Sequence, residues 1–187
     1  MRFLTPLILC GTFLISSATA SAQAPGMNRC AAESAASSCP AIARLRAGDS
    51  RLAAIVAEAN ARSSSFRQLA QAIDQTDGIV YVEHGRCWHG VRACLAAVSA
   101  AGANRIVRIR VNANDADWNL MGSIGHELQH AIEVLSNSKV TNTKALYFFY
   151  ERNGIRRGNT FETAAAIQAG HAVRAEVRRS EFSTLGP

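Results

Sequence analysis

Residues 118–135 impose two opposed requirements on one stretch of chain, and few folds satisfy both. At 100° per residue, Met121, Ile124, Leu128, Ile132 and Leu135 gather on one face, the pattern of a helix that packs on a core. By the same count His126, His130 and Glu133 lie about 140°, 180° and 120° from Met121. Such a helix needs an apolar layer under one side and a use for titratable groups on the other. The turn-rich segment 112–117, with Asp115 and Asp117, suits its start.

The apolar layer has to come from strands. In residues 105–111, Val107, Ile109 and Val111 alternate with Arg108 and Arg110, which gives one apolar face and one wet, cationic face. Residues 79–82, Ile-Val-Tyr-Val, are a second strand candidate. Two amphipathic helices precede them: residues 50–61, with Leu52, Ile55 and Val56 on one side and Ser50 as the cap, and residues 65–75, with Phe66, Leu69 and Ile73. A small helix is expected near 93–100, a helix over 144–152 that stops at Asn153-Gly154, and a longer one over 161–178 capped by Thr160. With 48% hydrophobic and 18% charged residues the chain is too apolar for disorder. The expected architecture is a single α+β domain over 43–187, a small sheet packed against the 118–135 helix and the helix that follows it.

The first residues read as an address rather than as fold. Arg2, the apolar stretch 3–15 and the small-residue run 16–24 form the three regions of a signal peptide, 1–22, with cleavage after Ala22. Its apolar part is about a dozen residues, short of the ~20 that span a bilayer, so no membrane span is expected in the mature chain. An Ala/Ser-rich arm, 23–42, follows. Cys30, Cys39, Cys87 and Cys94 remain after cleavage, an even set that suits two disulfides in a periplasmic or secreted protein. Of three possible pairings the local one, Cys30 with Cys39 and Cys87 with Cys94, is preferred. The formal charge of +6 comes from arginines scattered along the chain, with Lys only at 139 and 144, so no nucleic-acid partner is expected.

Residues 126–130 are His-Glu-Leu-Gln-His, an H-E-x-x-H match on a helix. One turn separates the histidines, so both imidazoles reach a single metal, and Glu127 is offset toward a metal-bound water. Zinc (Zn2+) lowers the pKa of that water toward about 7, and the glutamate takes its proton as the water attacks a polarised carbonyl. A zinc hydrolase also needs a third protein ligand and an open fourth position. Glu133, Glu151, Glu162, His171 and Glu176 are available. Glu162 is preferred, because it opens the 161–178 helix beside Thr163, Ala164 and Ala165, small residues that allow close helix packing. Glu133 sits one turn beyond His130 and is expected to orient that ring, and with His171 it remains a candidate ligand.

These residues resemble the gluzincin type of zinc-dependent metallopeptidase, and the whole pattern is also similar to small exported bacterial proteins. The resemblance covers about 105–175 and is specific at H-E-x-x-H. It implies a zincin-like domain, zinc held by His126, His130 and Glu162, Glu127 as general base, and an extended polypeptide substrate beside the strand 106–111. Tyr147, Tyr150 and His171 are candidates for stabilising the transition state. The alternative is a zincin-like module that binds zinc, or a partner, without turnover. Lesser signals point elsewhere. Gly48-Asp49-Ser50 is similar to an esterase nucleophile block, but no Asp is followed by His three positions later. Trp88 and His89 belong to a disulfide-pinned turn or a ligand loop, His84 to the surface, and Arg108 and Arg110 to a solvated face or to a cleft that favours acidic substrates.

Overall fold

The computed structural model describes residues 43–184 apart from Ala113. The signal peptide 1–22, the arm 23–42 and the Cys30–Cys39 pair lie outside the described residues, as does the side chain of His89.

Strand β1 (Leu45–Ala47) leads into α1 (Ser50–Arg62) and α2 (Ser64–Asp74). Asp49, not Ser50, caps α1: its carboxylate accepts the Leu52 N–H at 3.0 Å, and Ser50 is already the first helical residue. Ser63 closes α1 and opens α2, taking the Phe66 N–H at 3.0 Å. Then come β2 (Gly78–His84), a 3-10 turn at Trp88–Gly90, β3 (Ala93–Ala101), β4 (Asn104–Val111), α3 (Asp117–Leu135) and α4 (Thr143–Asn153). A hairpin, β5 (Ile155–Arg157) with β6 (Thr160–Glu162), precedes α5 (Ala164–Thr184).

The expected α+β class holds. The main sheet has the order β1-β2-β4-β3, with β1 and β4 parallel to β2 and β3 antiparallel to β4. Val80 and Val82 of β2 and Val107, Ile109 and Val111 of β4 are fully buried, and they meet Met121, Ile124 and Leu128 of α3 and Phe66 and Ile73 of α2 in one core cluster. On the other face, Arg46 donates to the Tyr81 hydroxyl and Arg108 pairs with Glu83 at 2.8 Å, as a wet face requires.

Two elements differ from expectation. Residues 93–101 are strand, not helix. An Ala-rich run prefers helix when isolated, but β4 has a row of backbone donors and acceptors that must be paired. The Cys87–Cys94 disulfide at one end and the turn at Gly102, with φ of +61°, at the other bring the run alongside β4. The last helix also starts later than expected. Thr163, not Thr160, caps it by accepting the Ala166 N–H at 3.1 Å, and residues 160–162 belong to the hairpin.

The far side of α3 is covered by α5 rather than by water. A Cβ on Gly125 would lie 2.7 Å from Val173 Cγ2, and one on Gly122 would lie 2.9 Å from Arg174 Cβ. These glycines allow an approach that any larger residue would block. Gly170 does the same opposite His126, so α5 supports the histidine face from behind.

Candidate metal centre

The α-helical rise sets His126 and His130 of α3 one turn apart, with ring centroids 4.8 Å apart. The β5–β6 hairpin, turned at Gly158 with φ of +60°, delivers Glu162 to them. Glu162 Oε2 lies 2.9 Å from His126 Nε2 and 3.7 Å from His130 Nε2. Glu162 thus reaches the histidines, but from the end of a strand and not from the first turn of a helix.

The contact is close without being a hydrogen bond. Glu162 Oε2 is buried and has no hydrogen-bond partner among the described residues. Leaving a buried carboxylate oxygen unpaired costs a few kcal/mol, so such an atom calls for a partner. One ligand atom from each of His126, His130 and Glu162 lies within 4.8 Å of the others, so the group can hold a metal ion. Ligands about 2.0–2.2 Å from one tetrahedral zinc lie about 3.4 Å from one another, a spacing between the two observed distances. Two imidazoles and a carboxylate are a donor set suited to that ion.

The outer groups complete the arrangement. His130 Nδ1 lies 3.0 Å from Glu133 Oε2, which leaves Nε2 for the ligand position. Glu133 in turn accepts from Thr163 Oγ1 at 2.7 Å and from the Tyr150 hydroxyl at 3.4 Å. Glu133 thus joins the His130 ring to Thr163 and Tyr150. Tyr150 also donates to the His130 carbonyl at 3.0 Å and is buried, so its hydroxyl is committed to the scaffold. Glu176 accepts from Ser63 and Ser65 at 2.7 Å, which removes it from the ligand candidates. Tyr147 borders the cleft above the ligand group, the exposed His171 borders a neighbouring cavity, and Glu151 is exposed on α4.

Burial and pairing set the charges. Burial opposes a charge on His130, but the Glu133 and Glu162 carboxylates outweigh it and raise the imidazole to about 9. His126 first, then His130, hold the Glu162 carboxyl down to about 2 against its burial. Glu133 stays below the usual carboxylate range, because the His130 and Thr163 hydrogen bonds exceed the opposing effect of burial. Glu127, only 5% exposed, is displaced the other way: burial raises it although both histidines pull it down. A carboxyl so raised is suited to taking up a proton.

Glu127 and the ligand group form the floor of a cleft of about 450 Å³. One wall is the start of β3, residues 93–96, and the other carries Tyr147, Tyr150 and Phe161. The strand beside the cleft is thus β3, not residues 106–111, because β4 is paired on both sides. The helical reading of the Ala-rich run concealed this wall, and the hairpin wall had no periodicity to mark it. The Cys87–Cys94 disulfide, with Cα atoms 5.9 Å apart, ties the Trp88 turn to that strand. His84 pairs with Asp49 at 3.0 Å on the surface, Arg108 points at Glu83, and Arg110 borders the cleft. No helix among the described residues is long and apolar enough to cross a membrane. Comparison with protein-family models, with curated proteins and with solved structures finds no match to this chain.

Proposed function

We propose that this protein is an exported, zinc-dependent hydrolase of the gluzincin type that cleaves extended polypeptide. The reading rests above all on Glu162 Oε2, a buried carboxylate oxygen with no hydrogen-bond partner among the described residues, held beside the two imidazoles of an H-E-x-x-H helix. His126, His130 and Glu162 hold the zinc, and Glu133 fixes the His130 ring. Zinc bound there supplies Lewis acidity to a carbonyl and acidifies a water toward about pH 7.

The chain's own groups do the rest. Glu127 takes one proton from the attacking water as its oxygen bonds to the scissile carbonyl carbon. The same carboxyl then passes the proton to the amide nitrogen as the C–N bond breaks. Burial and a hydrogen bond from the Leu95 backbone keep Glu127 on the cleft floor. The outer edge of β3 over residues 93–97 pairs with no strand among the described residues, and beyond that the Ser99–Asn142 bridge and the Thr143 contacts to Val98 cover it. An extended peptide that adds to this edge brings a backbone carbonyl over the floor.

Hydrolysis of a peptide library by zinc-loaded protein tests the reading. Glu127→Gln is expected to lower the rate about 10²–10⁴-fold with zinc content unchanged. Undiminished turnover in that variant removes the base assignment. Zinc binding without turnover in the parent protein leaves a binding module instead.

A further inference from the structure

The metal group has a second neighbour, a cavity of about 580 Å³ that shares His126, Glu127 and Glu162 with the cleft. Its far walls carry Arg92 from the loop before β3, Arg157 from β5, and Arg174 and His171 from α5. Three chain segments thus aim guanidinium-bearing residues at one space. Outside the ligand group, Glu127 lines the same cavity, and Asp115 pairs with Arg92 at 2.8 Å. Arg174 is held by the Asn119 side-chain oxygen at 2.9 Å. Burial and then the neighbouring charge of Arg92 pull Arg174 below its ordinary value, so the two are close enough to repel. The guanidinium of Arg157 is exposed and makes no hydrogen bond or ion pair among the described residues. The opposite half of the cleft carries Leu146, Tyr147, Phe161 and the 84% exposed Trp88, together with Arg86 and Arg110. The ligand group therefore sits between a half that mixes aromatic and cationic side chains and a half whose far walls are cationic.

We propose that the Arg92, Arg157 and Arg174 side of the cleft binds a substrate carboxylate next to the scissile bond, making the enzyme selective for acidic substrates. Arg157 supplies a planar pair of donors with no competing acceptor, and Arg92 and Arg174 supply the field behind it. An anion placed there relieves the repulsion between Arg92 and Arg174. The selectivity comes from these residues and not from Arg108, which is spent on Glu83.

The proposal rests on the zinc reading above, and its test separates the two. Calorimetric titration of zinc-loaded protein uses three hydroxamates that differ in the attached group: an Asp amide, an Ala with a free terminal carboxylate, and an Asn amide. The hydroxamate reports on the metal centre, and the attached group reports on the arginines. At least one carboxylate probe is expected to bind about tenfold tighter than the Asn amide, ~1.4 kcal/mol. A preference for the Asp amide marks an acidic side chain as the group read, and a preference for the free-acid Ala marks a chain terminus. Arg157→Gln and, separately, Arg92→Gln are expected to bring the ratio toward one, and circular dichroism confirms that each variant is folded. Equal binding of the three probes, or a ratio that survives both substitutions, overturns the proposal. If no hydroxamate binds, the metal reading fails and this one falls with it.

Discussion

Helix α3 holds a buried charge cluster at its middle and another at its C-terminal end, and the two are built on opposite plans. At the end, the Arg105 guanidinium, 5% exposed, bonds both Asp77 oxygens at 2.6 and 2.9 Å and the carbonyls of Val134, Leu135, Asn137 and Val140. Those carbonyls are the acceptors a helix end and its following turn leave without partners, and a cation there also complements the helix dipole. The cluster is closed: donors and acceptors consume one another. At the middle, Glu162 Oε2 is left over. A charge cluster built for stability saturates itself, whereas one built to bind keeps an acceptor in reserve.

The closed cluster is where substitution harms folding most. Arg105→Met leaves buried carbonyls without donors and is expected to destabilise the protein by ~3–5 kcal/mol in urea unfolding, while folded protein still takes up zinc. Loss of zinc uptake by folded Arg105→Met would merge the two clusters and break the contrast. Glu133→Gln is expected to do the reverse. It keeps a hydrogen bond to His130 but loses the charge, so zinc affinity falls about 10–100-fold, with a loss of metal-free stability smaller than that of Arg105→Met. A competition titration against a chelator reads that fall, and unchanged affinity would remove Glu133 from the site.

Acidity separates the clusters on one side, because only the middle one loses stability as pH rises. His130 is raised to about 9 in the folded chain from an ordinary 6.5, so its contribution to metal-free stability is complete below 6.5 and is lost as pH rises through about 9. Asp77 is lowered from 3.8, chiefly by its hydrogen bonds from Arg105, so its contribution is present above 3.8 and is lost as pH falls below that value. Glu162, held to about 2, adds to the acid-side loss from the other cluster. Unfolding curves at acid, neutral and alkaline pH are therefore expected to show metal-free stability falling in both directions. Arg105→Met shrinks the acid-side fall only, and a shrinkage on the alkaline side would contradict the assignment.

The two clusters were not equally legible in the sequence. The histidine pair follows from helical spacing, because a period set by backbone geometry survives any tertiary context. The small neighbours of Glu162 point to it in the sequence, although the last helix begins only after Thr163 and a hairpin delivers the carboxylate instead. Hairpin position depends on contacts distant in sequence, and the strand 160–162 is too short to show a period. Residues 93–101 misled for a related reason: local preference favoured helix, and the open edge of β4 decided otherwise. Arg105 carries a plainer signal. It shares the parity of Val107, Ile109 and Val111, so strand alternation already places it on the buried face, whereas Arg108 and Arg110 have the wet parity.

The central claim is that Glu162 is held open for a metal. Zinc binding to purified protein and to Glu162→Gln, read by equilibrium dialysis with metal analysis at neutral pH, tests it most directly. One zinc per chain is expected for the parent, with affinity at least about tenfold weaker once the carboxylate is gone. Zinc below about 0.2 per chain in the parent, or equal affinity in Glu162→Gln, would contradict it.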